Sequence, residues 1–114
     1  MDRDTSIKLM QDLLRRMVER DGSDLFITAG FPPAIKIDGE IKPQTNQPLT
    51  PEQAQLLVRA IMNDRQTKEF DATRECNFAI APPGIGRFRV SAFMQMGLTG
   101  AVLRTINIKV PTVD

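Results

Sequence analysis

The spacing between the predicted strands confines this chain to a largely antiparallel sheet. Short alternating apolar runs follow one another with only turns between them, and the clearest turn is Asp38-Gly39, between the runs at 34–38 and 40–42. An Asp-Gly pair in that position is a strong signal for a two-residue hairpin. Parallel strands need a crossover of about a dozen residues or more, which most of these connections cannot supply. We therefore predict antiparallel pairing for most of the chain.

Three segments have the periodicity of helices. Apolar residues recur at helical spacing from Thr5 to Asp21, with Asp4 or Thr5 as the predicted N-terminal cap and Gly22 as the predicted C-terminal cap. The segment Thr50-Pro51-Glu52-Gln53 predicts a second helix start, because its threonine can cap, its proline suits the first turn and its glutamine completes a capping box. Asp64 is the predicted cap of a third, short helix that ends near Ala72.

The remaining apolar runs alternate with the period of a β-strand. Predicted strands cover residues 24–29, 34–38, 40–42, 75–81, 86–96 and 101–108. Residues 97–100 are the predicted turn between the last two strands. Together these elements predict an α+β fold, with an antiparallel sheet of about six strands packed against two to three helices.

The composition excludes several kinds of site. The 114 residues include no histidine and one cysteine, Cys76, so neither a Ser–His nor a Cys–His catalytic pair can form within the chain, and no metal site is expected. The net charge of +1 gives no general attraction to nucleic acid or anionic lipid. No apolar run approaches the ~18 residues of a membrane span, and the charged first residues lack signal-peptide character. We therefore expect a cytoplasmic protein without membrane insertion.

The segment Gly86–Phe93 is the most informative stretch for function. Alternation along it places Arg87 and Arg89 on the sheet face opposite Phe88 and Val90. Arginine suits phosphate groups because its planar guanidinium donates paired hydrogen bonds and stays charged. Several arginines on one face of a nearly neutral domain are therefore compatible with an anion-binding surface.

Whether Arg104 joins that face depends on the register of the last hairpin. A hairpin closed symmetrically around Leu98-Thr99 pairs Met96 with Ala101 and Phe93 with Arg104. On that register Arg104 shares the face of Arg87 and Arg89, whereas a slip by one residue sends it to the other side.

Two other interpretations of these arginines stay open from the pattern alone. They can be ordinary surface residues in solvated ion pairs with Glu40, Asp71 or Glu75, which contribute little to stability. The segment is also similar to an RNA-binding RNP1 strand, with basic and aromatic residues interleaved. That similarity fails in detail because Phe88 and Phe93 fall on opposite faces, so no nucleic-acid partner is expected.

A set of segments in fixed order resembles the N-terminal domain of type IV pilus retraction ATPases, the PilT/PilU family. The resemblance covers nearly the whole chain, from about Ile7 to Pro111, and it looks closer to the PilU branch. The segments are Gly22-Ser23-Asp24-Leu25, Ala29-Gly30-Phe31-Pro32-Pro33, Ile37-Asp38-Gly39, Ile61-Met62-Asn63, Gly86-Arg87-Phe88-Arg89-Val90-Ser91-Ala92-Phe93 and Gly100-Ala101-Val102-Leu103-Arg104-Thr105-Ile106.

The resemblance implies a larger molecule than these residues. It implies a PAS-like N-terminal domain at residues 1–110 and the start of a linker at 111–114, followed in the family by a RecA-like ATPase domain. It further implies a homo-hexamer in which each N-terminal domain packs on a neighbouring ATPase domain, with ATP and Mg bound in the full-length protein. The expected partners are a related retraction ATPase and the inner-membrane platform protein of the pilus. The expected role is pilus retraction and twitching motility at the cytoplasmic face of the inner membrane.

The resemblance also carries site residues over to this chain. Arginines of the family's N-terminal domain contact the nucleotide phosphates, which points to Arg89 and Arg104 here, with Arg87 third. A weaker transfer places Pro33, Lys36, Asp38 and Gly39 near the adenine and ribose. The chain holds no G-x-x-x-x-G-K-[ST] loop, so we expect no catalysis and no bound cofactor for these residues alone. The alternative is a free-standing PAS-like module that senses a ligand or binds a protein.

Overall fold

Three helices cover one face of a six-stranded antiparallel sheet in the computed structural model, which describes residues 2–106. This arrangement confirms the predicted α+β fold. The helices are α1 (Arg3–Glu19), α2 (Pro51–Ala60) and α3 (Asp64–Thr73). The strands are β1 (Asp24–Thr28), β2 (Ala34–Ile37), β3 (Glu40–Pro43), β4 (Glu75–Ile80), β5 (Phe88–Gln95) and β6 (Leu98–Thr105). The predicted domain end at residue 110 and the predicted linker at 111–114 lie outside the described residues.

The strand order places the first strand beside the last. The order across the sheet is β3-β2-β1-β6-β5-β4, and every pair of neighbouring strands is antiparallel. Two hairpin groups, β1-β2-β3 and β4-β5-β6, therefore join through the β1–β6 pair at the centre of the sheet. Residues buried on β1, β2, β4, β5 and β6 pack with α1, α2 and Phe70 of α3 into one continuous core, whereas every residue of β3 is exposed.

The hairpin between β5 and β6 differs from the prediction. Gln95 pairs with Leu98, and the two residues between them, Met96 and Gly97, both have positive φ, at 54° and 78°. Two consecutive left-handed residues form the type of two-residue turn whose twist matches that of the flanking strands. The predicted turn at 97–100 is wrong for this reason, and Leu98–Gly100 belong to β6.

The helix starts are set by side-chain caps. The capping box at Thr50 and Gln53 is confirmed, with both reciprocal hydrogen bonds present. The predicted caps of the other two helices are each displaced: Asp2 caps α1 through the Thr5 N–H, and Asn63 caps α3 through the Gln66 N–H. An acceptor side chain at these positions reaches a backbone N–H that has no partner within the helix.

The end of α1 corrects the predicted role of Gly22. The left-handed residue is Asp21, with φ of 56°, and the Gly22 N–H donates to the Met17 carbonyl at 2.8 Å, as in a Schellman motif. Gly22 is buried because it follows that turn into the core. A Cβ at Gly22 would meet Ile35 Cγ2 at 2.6 Å and Met17 Cγ at 2.9 Å, so close approach rather than a positive φ requires glycine there.

Two single substitutions test separately the close packing at Gly22 and the left-handed backbone at Asp21. We expect Gly22→Ala to lower the free energy of unfolding by about 1–3 kcal/mol, because the added methyl overpacks the core. Asp21→Gly should instead raise it by up to about 1 kcal/mol, because glycine relieves the left-handed strain. Urea denaturation of the two variants and the parent measures both changes. A Gly22→Ala variant with an unchanged free energy of unfolding would contradict this close packing.

Candidate functional site

The sheet face that the helices leave uncovered carries the candidate site. Alternation directs residues such as Phe88, Val90 and Leu103 into the core, all fully buried. The residues between them therefore lie on the outer face, as predicted for Arg89. The outer-face residues of the last three strands near this site are Asn77 and Ala79 on β4, Arg89 and Ser91 on β5, and Val102 and Arg104 on β6.

One cross-strand row on this face concentrates charge. Arg89 pairs directly with Arg104, Arg104 with Asp24, and Asp24 with Lys36, so four adjacent strands each contribute one charged residue. Three of these are cations and one is an anion. Directly opposite residues have Cβ atoms about 4.5–5.5 Å apart, so the side chains of Arg89 and Arg104 are close neighbours.

The predicted common face of Arg89 and Arg104 is confirmed, although the predicted register is wrong. The prediction paired Phe93 with Arg104, whereas Phe93 pairs with Gly100 and Arg104 with Arg89. The two registers differ by an even number of residues, so each side chain keeps its face. The prediction was therefore right about the face and wrong about which residues are opposite one another.

The charges in this row are unequally paired. Arg104 Nε donates to Asp24 Oδ1 at 3.0 Å, and the Arg104 side chain remains 73% exposed. Arg89, Arg87 and Lys36 have no carboxylate in ion-pair contact within residues 2–106. The expected alternative partners Glu40, Asp71 and Glu75 do not pair with these arginines; Asp71 binds Arg59 instead, which lowers the pKa of its carboxyl.

Two adjoining depressions on the outer face share Arg89. One, of about 280 Å³, is lined by Asn77, Arg89, Ser91, Val102 and Arg104. The other, of about 380 Å³, continues past Arg89 to Phe78, Ala79 and Ile106. Together they provide guanidinium, amide and hydroxyl groups above a short apolar floor. Such a surface can hold an anion with several oxygens.

The other predicted site residues lie around this row. Lys36 belongs to it, two strands from Arg104 and so about 10 Å away at the backbone. Arg87 precedes β5 at the same end of the sheet, where its carbonyl accepts from the Ile106 N–H at 3.0 Å. Asp38 and Gly39 form the β2–β3 turn, whereas Pro33 is buried before β2. Of the four residues that the resemblance places near the adenine and ribose, only Lys36 belongs to this row.

The two aromatic residues of the RNP1-like segment lie on opposite faces of the sheet. Phe88 is fully buried in the core, while Phe93 lies on the outer face directly opposite Gly100. A Cβ on Gly100 would approach the Phe93 ring at 2.8 Å, so the ring rests against this strand. An RNA-binding sheet needs its aromatic residues exposed on one face. The predicted placement of Phe88 and Phe93 on opposite faces is therefore confirmed.

Sequence reasoning missed three residues of this surface, which are Asp24, Asn77 and Ser91. Ser91 could have been found from its alternation with Arg89. Asn77 and Asp24 required strand neighbours, because Asp24 lies 80 residues from Arg104 in sequence and meets it only through the β1–β6 pair. No local signal specifies that pairing.

The single thiol plays no part in this site. Cys76 lies on the core face of β4, and its Sγ donates to Glu69 Oε2 at 3.0 Å. Burial, then the hydrogen bond to Glu69, raises the pKa of Cys76 to about 11, so the thiol stays protonated near neutral pH. Within residues 2–106 no group of three potential metal ligands comes together, and no helix is both long and apolar enough to cross a membrane.

Curated relatives match most of this chain. It is 54% identical over 104 residues to the type IV pilus ATPase PilU of Pseudomonas aeruginosa, a match that covers 91% of this chain and 27% of that protein. It is 42% identical over 103 residues to the type IV pilus retraction ATPase PilT of the same organism, covering 90% of this chain and 30% of PilT. The chain thus spans less than a third of the length of these relatives. No family model matches it.

Solved structures match the fold. A crystal structure of the pilus retraction motor PilT with bound ADP aligns with a TM-score of 0.80 at 34% identity, covering 89% of this chain and 30% of that one. The Legionella pneumophila ATPase DotB shares the fold, with a TM-score of 0.74 at 23% identity over 89% of this chain and 29% of its own. With these sequence matches, the chain belongs to the PilT/PilU type of pilus ATPase, as an N-terminal domain closer to PilU than to PilT.

Proposed function

We propose that this chain is the nucleotide-contacting domain of a motor ATPase that drives type IV pilus retraction. Its outer sheet face supplies Arg89 and Arg104 to the phosphates of ATP, and Arg87 is a further contact at the same end of the sheet. The names of the relatives, a pilus ATPase and a retraction motor with bound ADP, support this role.

The observation that carries the proposal is the direct pairing of two exposed arginines across β5 and β6. Like charges directly opposite one another on a sheet are destabilising. One acidic residue, Asp24, contacts one of them, and Arg89 has no ion-pair partner within residues 2–106. An excess of positive charge held in this way is relieved when an anion binds, so the surface is suited to a polyphosphate.

The groups around the arginines fit a triphosphate. A guanidinium donates two parallel hydrogen bonds to phosphate oxygens, and Asn77 and Ser91 add neutral donors in the same depression. The described residues contain no cluster of acidic ligands, so Mg bound with the nucleotide is held by other parts of the longer protein. Mg bound there would supply positive charge that offsets the charge of the phosphates.

In this proposal, the arginines sense and stabilise the phosphates of ATP and do not cleave them. The sequence has no Walker A loop, which a P-loop ATPase needs to hold the phosphates during hydrolysis. Hydrolysis belongs to a RecA-like domain of the longer protein. The arginines respond to the γ-phosphate and couple closure of the two domains to the nucleotide state.

The same proposal extends to assembly and location. Six full-length subunits form a ring in which this domain packs on a neighbouring ATPase domain. The ring acts with a related retraction ATPase and an inner-membrane platform protein, at the cytoplasmic side of that membrane, in twitching motility. The names of the relatives, which include a twitching motility protein, support the part of this proposal that concerns pilus retraction and twitching motility.

A free-standing PAS-like sensor is the less supported alternative. Such a module needs an enclosed apolar pocket for its ligand. The nearest feature is a groove of about 310 Å³ between α1 and the end of β4, lined by apolar residues such as Met10, Leu14 and Ile80. This groove is open to solvent and contains no charged side chain that would orient a ligand.

Arginine substitutions in the full-length protein test the proposed role. We expect Arg89→Ala and Arg104→Ala each to lower kcat/KM for ATP by about ten-fold or more, because each removes a charged donor to the phosphates. Steady-state ATPase assays measure the loss, and circular dichroism confirms that the fold is retained. The matched control is Arg15→Ala, an exposed arginine on α1 whose ion pair with Asp12 is far from the row. Unchanged turnover in both site variants would refute the proposal.

The proposed role also predicts a gain in stability when one arginine is neutralised. Arg89→Gln should raise the free energy of unfolding of this domain by about 0.2–1 kcal/mol, because it removes repulsion against Arg104. The gain should shrink at high salt, which screens exposed charges. Urea denaturation at two ionic strengths measures it. A salt-independent loss of stability would contradict this prediction, because it would mean that Arg89 is held by favourable contacts and not repelled by Arg104.

A further inference from the structure

Asp24 is an unusual residue for the start of a central strand. It is 6% exposed, whereas a carboxylate is normally solvated. Its two oxygens are both occupied: Oδ2 accepts from Ser23 Oγ at 3.0 Å, and Oδ1 accepts from Arg104 Nε at 3.0 Å. A buried charge is tolerated when it is paired and hydrogen-bonded in this way. The orientation of the carboxylate is therefore fixed by its neighbours.

The contact with Arg104 uses one edge of the guanidinium and leaves the other available. Nε is the atom that binds Asp24, and the two terminal nitrogens have no hydrogen-bond partner within residues 2–106. Those nitrogens form the end of the planar fork, which can donate two parallel hydrogen bonds to a phosphate. With its side chain 73% exposed, Arg104 thus keeps a complete anion-binding edge while it is held by Asp24.

The backbone around Asp24 keeps this residue beside Arg104. Asp24 and Arg104 are directly paired across β1 and β6. The Thr105 N–H donates to the Ser23 carbonyl at 3.1 Å, and Thr105 Oγ1 donates to the Gly22 carbonyl at 3.2 Å. The turn before β1 is therefore attached to the end of β6, which holds the backbones of Asp24 and Arg104 side by side.

The two arginines of the row consequently differ. Arg104 is held by a fixed acceptor, while Arg89 has no such partner in the described structure. A long side chain that is already ordered loses less rotamer entropy when it binds a ligand. Asp24 also offsets part of the repulsion that Arg104 feels from Arg89.

We propose that Asp24 is the positioning residue for Arg104, holding its guanidinium by Nε so that the terminal nitrogens face a phosphate. Asp24 itself does not touch the nucleotide. This inference rests on the proposed function, because it assigns to Asp24 a role in the same phosphate site. It predicts that Asp24 acts through Arg104 and not through Arg89.

A double-mutant cycle in the full-length protein tests this role. The variants are Asp24→Asn, Arg104→Ala and their combination, and the control is Asp12→Asn, an aspartate in an exposed ion pair on α1. Asparagine keeps the shape of the side chain but replaces a charge-assisted contact with a weaker one. We expect Asp24→Asn to raise KM for ATP roughly ten-fold, the low end of the effect of losing a charged hydrogen bond, and to have no further effect once Arg104 is alanine.

A second variant keeps the positioning role testable if Asp24→Asn does not fold. Ser23→Ala removes one of the two hydrogen bonds that orient the carboxylate while leaving its charge, so it should raise KM in the same direction by a smaller factor. That increase should also vanish in the Arg104→Ala background. Thermal unfolding of each variant reports any general loss of stability. An increase in KM that came from such a loss would add to the effect of Arg104→Ala, whereas an increase that acts through Arg104 would be absent in the Arg104→Ala background.

The outcomes separate this inference from the function on which it rests. If Arg104→Ala leaves KM and kcat unchanged, the role of Arg104 in the phosphate site fails, and that of Asp24 fails with it. If Arg104→Ala is impaired but Asp24→Asn is silent or additive with it, only the positioning role is overturned. A lower KM in Asp24→Asn would likewise overturn it, since Asp24 would then be competing with phosphate for Arg104.

Discussion

The pairing of β1 with β6 is the constraint on which the rest of the structure depends. It joins the two hairpin groups into one sheet, and it buries Leu25 and Ile27 beside Leu103 under the helices. The same register sets Asp24 beside Arg104 on the opposite face. One set of backbone hydrogen bonds therefore builds the core on one side and the charged row on the other. A shift of one residue would disrupt both.

The two faces of the sheet have different roles, which explains how a small domain can hold unbalanced charge. The helix-covered face supplies apolar burial through residues that alternate with the charged ones. The outer face is then able to accept the unfavourable proximity of Arg89 and Arg104. Their repulsion is modest on a solvated surface, and the ion pair with Asp24 reduces it further. The structure thus keeps cations available for a ligand at a small cost in stability.

Local signals in the sequence predicted the parts of the fold that are locally determined. The Thr50 capping box, the Asp38-Gly39 hairpin and the alternation along β5 each depend on residues close in sequence, and each is confirmed. The Met96-Gly97 turn was missed because it requires a left-handed backbone conformation at Met96, and methionine is not a residue that predicts one. Asp24 was missed because its partner is 80 residues away. The phosphate role of Arg89 and Arg104 came from the family resemblance and remains a proposal.

Titration of the 114-residue chain with inorganic triphosphate, followed by NMR, tests the central claim most directly. The claim is that the outer face around Arg89 and Arg104 binds phosphate. It predicts weak, salt-sensitive binding that shifts the Nε–H signals of both arginines and the backbone signals of Asn77 and Ser91. The shifts should disappear when both arginines are alanine. Shifts that persist in that double variant, or that appear on the helical face, would contradict the claim.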